Sequence, residues 1–286
     1  MVQCLRKTRG LPKNMAEKKD NLISSRYLFI GLYAYFNLLC VLLPLEGRVE
    51  SKRVLSFHFD KIEVGGALTV FIEPGRRNRQ VEYFADSSII DSVIAEVRDR
   101  TLYLDANNSF SLIRKIPLIK LSAERTFPIE VVVSIDKLSD IRLLDQSNLR
   151  IKNVSGKQLN IYSDSSGSFH GIDLHFENFK IRHEGSGNIN LQGREVLSLD
   201  AETYGSGSLL CEHLFLEEAK LSHHGTGEVV IAPVKWLDAR IFNSGNIKLL
   251  EQPRGRVVKK EGNGGELIEL YQESETKADT SPIRAE

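Results

Sequence analysis

Cysteine, methionine and tryptophan are scarce in this chain, with three, two and one copies among 286 residues. Two of the cysteines, Cys4 and Cys40, fall in an N-terminal segment with the features of a targeting sequence, which leaves Cys211 as the only thiol of the remaining chain. An internal disulfide is therefore excluded. We expect Cys211 to be buried, because leucine or isoleucine stands at the matching place in neighbouring repeats.

The chain also lacks an excess of charge of either sign, since 38 basic residues balance 38 acidic ones. The first 47 residues hold seven of the basic and three of the acidic side chains, so the rest is mildly acidic and has no basic stripe. This composition argues against nucleic-acid binding. Serine-nucleophile motifs, phosphate-binding loops and clustered metal ligands are missing as well. We predict no catalytic, cofactor-binding or metal-binding residues and no cofactor.

The N-terminal segment, residues 1–47, combines a basic stretch with the apolar run 27–45, which only Asn37 interrupts. This pattern predicts a signal sequence. A retained inner-membrane anchor is the alternative, because the 19 residues of the run approach the length that spans a bilayer. Translation from Met15 would shorten the leader, and lipid attachment at Cys40 is disfavoured by the large residue before it. Either way, we expect the body to be exported to the periplasm, the outer membrane or the cell surface.

A glycine recurs through the second half of the chain with spacings of 20, 20, 20, 18 and 19 residues. A period of this length is typical of solenoids, in which each short coil buries its apolar face only against its neighbours. Ser147 lies 20 residues before the first of these glycines, so we expect the array to begin near residue 136. The repeated glycines are Gly167, Gly187, Gly207, Gly227, Gly245 and Gly264.

Apolar residues keep fixed distances from these glycines and predict interior columns. The residues two positions after the glycine are Phe169, Ile189, Leu209, Val229, Ile247 and, after Gly265, Leu267. Those six before it are Ile161, Ile181, Ala201 and Leu221, and those nine after it are Phe176, Val196, Leu216 and Trp236. The stretches between them alternate apolar and polar residues, as half-buried strands do. We therefore predict an all-β protein with a right-handed β-helix of about 20 residues per coil over residues 136–270.

The repeated glycine suits a tight corner, where positive φ or close packing against the corners above and below excludes a side chain. A leucine-rich repeat is the main alternative, and the start of its pattern fits Phe176, Phe179 and Ile181. The pattern then fails, because Glu184 stands where Asn or Cys is required and a strand follows in place of a helix. A calcium-binding nonapeptide array needs a shorter period and a regular aspartate, and the sequence has neither.

Residues 51–135 lack the glycine period but are rich in β-branched and aromatic residues between turn signals. This composition predicts a strand-rich half that caps the β-helix. One short helix is expected over residues 86–97, with Asp86 or Ser87 as its N-cap. The polar tail, residues 271–286, is expected to be disordered.

Three segments carry a distinctive pattern: 59–70 (FDKIEVGGALTV), 129–141 with IEVVV leading to LSDI, and the Gly-Ser-Gly-Asn-Ile unit at 185–189. Together they resemble the bacterial head GIN domain family, whose members are described as putative auto-transporter adhesin heads. The resemblance spans about residues 57–270 and departs at 146–148, where members usually have a glycine turn. It implies an exported β-helical domain without known enzymatic activity, and adhesion is an expectation by analogy.

His183 and His223 occupy the same position relative to their glycines, as do Glu184 and His224, and these four residues form the best candidate metal cluster. Two coils separate the histidines, about 9 to 10 Å at the spacing of β-strands, and Thr203 lies between them. One metal ion cannot reach both at bond lengths of about 2 Å. We therefore expect an exposed polar column without a metal.

Polysaccharide-cleaving β-helical enzymes are the catalytic alternative, because they place carboxylates on one long face. Asp164 and Glu184 share a column one coil apart, which predicts a separation of about 5 Å. The column does not continue in acids and no Arg or Lys is expected beside it, so we assign these carboxylates no catalytic role.

Two non-enzymatic functions use the long faces of a solenoid. In a recognition module, polar columns containing His170, Asn190 and Lys248 would meet an extended glycan or protein ligand. In a self-assembling structural protein, end coils would pair across molecules. The sequence thus predicts an exported, non-catalytic, adhesin-like binding or structural domain of the bacterial envelope, attached to a membrane only through its N-terminal segment. A polysaccharide-acting enzyme, a self-assembling structural protein and homo-oligomerisation stay open.

Overall fold

The computed structural model describes residues 49–271, except 57, 76–79, 88, 107–108, 117–118, 127 and 263, and only the backbone of 55 and 109–126. The chain divides into two compact units, Met1–Gly47 and Arg48–Glu286, and every described residue belongs to the second. The predicted signal sequence or anchor, with Cys4, Cys40 and Met15, and the tail beyond Tyr271 lie outside the described residues. No helix in the described ranges is long and apolar enough to cross a membrane.

Twenty strands make up nearly all of the regular structure, which confirms the all-β prediction. Eighteen of them form one continuous sheet, and the other two, β7 and β8, pair with each other as an antiparallel hairpin. The strands are β1 (Val49–Leu55), β2 (Lys61–Val64), β3 (Thr69–Pro74), β4 (Gln80–Asp86), β5 (Val93–Arg98), β6 (Thr101–Ala106), β7 (Ser109–Ile116), β8 (Ile119–Thr126), β9 (Glu130–Ile135), β10 (Asp140–Asp145), β11 (Asn148–Lys152), β12 (Ser155–Ser165), β13 (Phe169–His183), β14 (Ile189–Thr203), β15 (Leu209–His223), β16 (Val229–Ile231), β17 (Pro233–Ile241), β18 (Ile247–Leu249), β19 (Gly255–Lys260) and β20 (Leu267–Glu269).

Parallel pairing winds the large sheet into a β-solenoid with two long faces. On face A the strand order is β6, β2, β10, β12, β13, β14, β15, β17 and β19. On face B it is β9, β3, β11, β13, β14, β15, β16, β18 and β20. The long strands β13, β14 and β15 bend near their middles and contribute to both faces. The predicted β-helical architecture is confirmed.

The predicted interior columns are present, because the register aligns residues at equal distances from their glycines. On face B, Phe169 pairs with Ile189 and Ile189 with Leu209, and all three are fully buried. On face A, Ile161 pairs with Ile181 and continues through buried residues of β14 and β15. One apolar core therefore runs along the stack and supplies the hydrophobic stabilisation of the fold.

Trp236 is an exception, and its predicted place in an interior column is wrong. It is in register with Glu218 and is 44% exposed, whereas Leu216 pairs with the buried Pro233. The coil that contains Trp236 has 18 residues rather than 20 between its glycines. The coil is shorter at its bend, so the distance from the preceding glycine no longer predicts which side chains face inward.

The repeated glycines stack directly on one another at the corner that leads from face A to face B. A Cβ at Gly187 would overlap the carbonyl oxygen of Gly167, and Gly207 and Gly227 have the same relation to the glycine one coil before. Successive corners are therefore in backbone contact, with no space for a side chain. Among the described glycines only Gly66 has a positive φ, so close packing, not backbone conformation, requires glycine at these corners.

The first corner of the array holds Ser147 in place of glycine and still keeps the register. Ser147 is fully buried, and its hydroxyl donates to the carbonyl of Leu144 at 2.6 Å. The Ser147 carbonyl in turn accepts a hydrogen bond from the Ser165 hydroxyl at 2.9 Å. Asp145 supplies the turn by adopting a φ of 56°.

The strand-rich N-terminal half is confirmed, and four of its strands extend the two faces. Ile62 on β2 pairs with Leu102 on β6 and with Ile141 on β10, so a coil early in the sequence lies between two later ones. Strands β1, β4 and β5 add antiparallel pairs at this end of the stack.

The helix predicted over residues 86–97 is wrong. This segment contains one 3₁₀ turn, Ile90–Ser92, followed by β5. Asp86 belongs to β4, and β5 pairs antiparallel with β6 along its whole length. Cross-strand pairing thus overrides the local capping signal.

Candidate functional site

A shallow groove of about 660 Å³ lies on the outer side of face A, across β6, β2, β10, β12 and β13. Alternation along these strands turns one side chain inward and the next outward, so that Ile141 is buried between Asp140 and Arg142. The outward side chains form two ladders across the strands. The first ladder contains Thr101, Lys61, Asp140, Asn160 and Lys180, and the second contains Tyr103, Glu63, Arg142, Tyr162 and Arg182.

The first ladder combines two lysines and two neutral polar side chains with one carboxylate that already accepts hydrogen bonds. The Asn160 amide donates to Oδ1 of Asp140 at 2.8 Å, and the Ser139 hydroxyl donates to Oδ2 at 2.6 Å. Lys61 and Lys180 have no ion-pair partner within the described ranges. They lie three strand spacings apart, about 14 Å. The ladder therefore presents two available ammonium groups with hydrogen-bonding groups between them.

The second ladder alternates cations with aromatic rings. The Arg142 guanidinium lies 5.1 Å from the ring centroid of Tyr162 and 3.5 Å from the carboxylate of Glu63. Arg182 lies 4.9 Å from the ring of Tyr204 on the next coil. A guanidinium group placed over an aromatic ring is attracted by the face of that ring. The ladder thus presents cations that contact rings and a carboxylate.

Glu184 anchors the edge of this groove as a carboxylate. The Tyr162 hydroxyl donates to Glu184 at 2.8 Å, and Arg182 pairs with it at 2.6 Å. The hydrogen bond from Tyr162, followed by that from Arg182, lowers the pKa of Glu184, and the same hydrogen bond raises the pKa of Tyr162. A carboxyl group that stays ionised in this way is a poor proton donor.

The prediction that no Arg or Lys lies beside the column of Asp164 and Glu184 is wrong, because Arg182 contacts Glu184 directly. The alternation along β13 places Arg182 two residues before Glu184, on the same outward side of the strand. Asp164 is exposed one coil away. Glu184 is therefore committed to an ion pair and a hydrogen bond, an arrangement that differs from the raised-pKa acid of a glycosidase pair.

The expectation of an exposed polar column at His183 and His223 is also wrong, because both side chains are buried, with 0% and 1% exposure. They are in register with Thr203, which lies between them as predicted. Strand alternation continues to the end of β13 and β15, so these residues face the interior beside the corner. The next coil has Ile241 at the same place, which shows that the position is part of the core.

Burial lowers the pKa of both histidines, and nearby backbone groups at the glycine corners only partly oppose this effect. Neither ring nitrogen of His183 forms a hydrogen bond of good geometry, whereas Nδ1 of His223 is bonded to Thr203. No group of three or more His, Cys, Asp or Glu in the described ranges is arranged to hold a metal ion.

The outer neighbours of these histidines form an aromatic stack along the corner. The rings of Tyr204 and His224 are 4.7 Å apart and almost parallel, and the rings of His224 and Phe242 are 3.9 Å apart. Glu184 begins the same column. The stack continues the cation and ring ladder of the groove towards the C-terminal coils.

The three residues named as recognition candidates share one column on face B. His170 pairs with Asn190, but Leu210 and Val230 separate them from Lys248. Burial, followed by the charge of Arg150, lowers the pKa of His170. This column of face B is therefore not a continuous polar ladder, in contrast to the two ladders of the groove on face A.

Three residues of the groove could be placed on the outer surface from the sequence alone, although nothing in the sequence marked them as a site. Arg142, Tyr162 and Arg182 each follow directly after an interior isoleucine of face A. Outward residues next to a predicted interior column were therefore the usable signal. The missing information was that β2 pairs with β10 and β6 pairs with β2, which brings Lys61 and Tyr103 into the same groove.

Cys211 is buried as predicted, with 0% exposure. Burial raises the pKa of its thiol to about 12. The thiolate, which is the reactive form, is therefore strongly disfavoured.

Several solved structures share this fold. An adhesin-like protein of Bacteroides fragilis, described as a putative adhesin, aligns with a TM-score of 0.67 at 18% identity over 78% of this chain and 97% of its own. A Parabacteroides distasonis protein described as a putative lipid binding protein aligns with a TM-score of 0.56 at 18% identity, over 78% and 98%. A putative adhesin of Parabacteroides merdae has a TM-score of 0.54 at 18% identity, over 78% and 97%. These likenesses concern the fold.

No curated protein matches the sequence of this chain. A family model does match, over residues 58–253, which include both faces of the solenoid and every residue of the groove. Its description is "Putative auto-transporter adhesin, head GIN domain". The chain therefore belongs to the head GIN domain family.

Proposed function

We propose that this protein is an exported, non-catalytic adhesin-like domain that binds an extended acidic polysaccharide in the groove of face A. The observation that carries the proposal is the pair of ladders, in which Lys61 and Lys180 flank Asp140 and Asn160, and Arg142 lies on Tyr162. The description of its family, "Putative auto-transporter adhesin, head GIN domain", supports a binding function.

A polysaccharide fits this groove better than a folded protein surface does. The groove is shallow and follows several strands, so its ligand must be long and narrow. Amides and tyrosine hydroxyls suit the hydroxyl groups of sugars, and ring faces accept their apolar sides. The two available ammonium groups favour carboxylates or sulfates on the ligand. A protein ligand is the alternative outcome of the binding test.

Export rests on the predicted leader in residues 1–47 and on the adhesin family. We place the body in the periplasm, on the outer membrane or at the cell surface, with retention at the inner membrane as the second arrangement. Cell fractionation and N-terminal sequencing of the accumulated protein would decide between them. An intact Met1 or Met15 in the inner membrane would contradict cleavage, and a protein confined to the cytosol would contradict export.

The binding test uses the full-length protein and a panel of polysaccharides, with alginate and polygalacturonate as acidic chains and dextran as a neutral one. We expect binding to the acidic chains, weakened by at least about tenfold when Lys61→Ala and Lys180→Ala are combined, because both charge-assisted contacts are lost. Lys220→Ala is the matched control, since Lys220 continues the first ladder beyond the groove, beside Asp200 and Asp238.

Equal binding of the double variant and the wild type would contradict the groove as the site. Binding only to protease-sensitive cell-surface material would assign a protein ligand instead. New reducing ends after incubation with any of these polysaccharides would contradict the non-catalytic assignment.

A further inference from the structure

An apolar corner, defined by Leu197, Phe215, Val234 and Trp236, lies on the opposite edge of face A from the glycine corner. Phe215 is 68% exposed, and the other three are 42% to 47% exposed. They come from β14, β15 and β17, which are neighbouring strands on face A, so they form one contiguous patch. A cluster of this kind on a folded domain marks an interaction surface.

The apolar corner surrounds a depression of about 680 Å³. Val196 and Leu216 form its buried floor, and Phe215 and Leu197 form its rim. An aromatic ring that projects beside an apolar depression provides both halves of a knob-and-pocket contact. A second copy of the same surface could insert its own Phe215 into this depression while receiving the ring of the first.

Charges of both signs border the apolar corner. Lys235 and Glu217 form an ion pair of 2.6 Å across β15 and β17, with side chains 48% and 41% exposed. Arg194 and Glu195 lie at the turn of β14, both exposed, and have no ion-pair partner in the part of the chain that the structure describes. The border thus holds two cations and two anions.

The equal numbers of cations and anions around the apolar corner favour one class of partner over the others. An anionic membrane surface or an acidic protein would be matched by a border of cations, and a polysaccharide would be matched by polar groups rather than by apolar ones. A two-fold interface, in contrast, brings one patch against itself, so the charges on it are matched when both signs are present. We infer that the apolar corner is a self-association surface, in which Phe215 fills the depression of a second copy of this chain and Lys235 faces Glu217 of that copy.

The first test measures the mass of the full-length protein against concentration by sedimentation velocity. We expect a reversible dimer, and Phe215→Glu should raise its dissociation constant by at least about tenfold, as loss of a central aromatic anchor does. Ile94→Glu is the control, because Ile94 is 49% exposed on β5, outside the apolar corner. Any association through the N-terminal segment is the same in all variants and cancels in the comparison.

The second test uses exchanged charges and does not depend on loss of folding. Glu217→Lys alone places two lysines face to face, and Lys235→Glu alone places two glutamates face to face, so each variant should dimerise more weakly than the wild type. Mixing the two variants should restore a mixed dimer, because both contacts are then between opposite charges. A circular dichroism spectrum like that of the wild type verifies that each variant is folded.

A wild type that stays monomeric at every concentration would overturn the inference. So would a dimer that Phe215→Glu leaves intact, or a mixture of the exchanged variants that dimerises no better than either alone. Binding of the wild type to phosphatidylglycerol vesicles that is abolished by Phe215→Glu, without dimerisation, would assign the apolar corner to a membrane instead.

Discussion

The hydroxyl of Thr203 and Nδ1 of His223 share a hydrogen bond of 2.5 Å in a buried column beside the glycine corner. His183, on the other side of Thr203, forms no hydrogen bond of good geometry. The two histidines thus occupy equivalent places in corners two coils apart but differ in how their polar atoms are satisfied. Both are expected to remain neutral in the folded protein, because burial lowers the pKa of each.

The first prediction concerns the stability of the protein at acidic pH. An unfolded histidine has a pKa near 6.5, and the folded value is lower, so the unfolded state binds more protons as the pH falls below 6.5. The free energy of unfolding should therefore decrease as the pH falls through 6.5, by up to about 1.4 kcal/mol per pH unit for each histidine, and should be insensitive to them above pH 7.5. Urea unfolding between pH 5 and 8 measures this.

His183→Leu should reduce the acid sensitivity, because leucine cannot bind a proton and resembles the Ile241 that stands at this place in a later coil. His213→Leu is the matched control, since His213 is exposed at the bend of β15. An identical pH dependence in His183→Leu and the wild type would exclude His183 as a source of acid sensitivity.

The second prediction concerns the stacked glycines. Gly187→Ala should lower the free energy of unfolding by about 2–4 kcal/mol, because its Cβ would overlap the backbone of Gly167 and force two corners apart. Thermal or urea unfolding measures the loss. Gly65→Ala is the control, since a Cβ there would meet only the carboxyl groups of Asp145 and Asp105 at ordinary contact distances, and its effect should stay within about 0.5 kcal/mol.

The third prediction concerns the thiol of Cys211. With a pKa of about 12, it should react with iodoacetamide at pH 8 only when the protein unfolds. Mass spectrometry of the peptide that contains Cys211 distinguishes it from Cys4 and Cys40. Complete alkylation of this peptide in the folded protein, at the rate seen in urea, would show that the coil opens readily.

The fourth prediction tests the edge of the groove. Tyr162→Phe should raise the pKa of Glu184, because the hydroxyl of Tyr162 is the largest cause of its depression. The ionised Glu184 contributes stability above pH 4.5, and this contribution is lost as the pH falls through the pKa of Glu184 in the folded protein. In the variant that pKa is higher, so the loss should occur at higher pH. Carboxyl NMR titration measures both proteins. Tyr204→Phe, whose hydroxyl bonds Glu202 instead, should leave the pKa of Glu184 unchanged.

The glycine period was sufficient to predict the columns of Phe169 and Ile161, because a fixed coil length places equivalent residues in register. The same rule failed at Trp236, where the coil is shorter, and at His183, where the alternation of a strand continues into a corner that was expected to be exposed. Position relative to the glycine is therefore informative only within a coil of regular length.

The groove was harder to predict, because two of its strands come from outside the repeat. Parallel pairing of Lys61 with Asp140 joins segments that no local pattern relates, and strand periodicity carries no information about which strands are neighbours. Tyr162 and Arg182, which lie inside the repeat, could be placed on one face from sequence alone.

The position of β2 between β6 and β10 bears on how the chain acquires its structure. From β12 onward each coil docks on the one made about 20 residues earlier, so growth there is local and rapid. Ile62, in contrast, finds its neighbours in Leu102 and Ile141, far later in the sequence. We expect folding to nucleate in the central coils and to incorporate β2 last, although β2 precedes those coils in the chain, so that amide exchange during refolding protects β2 after β14.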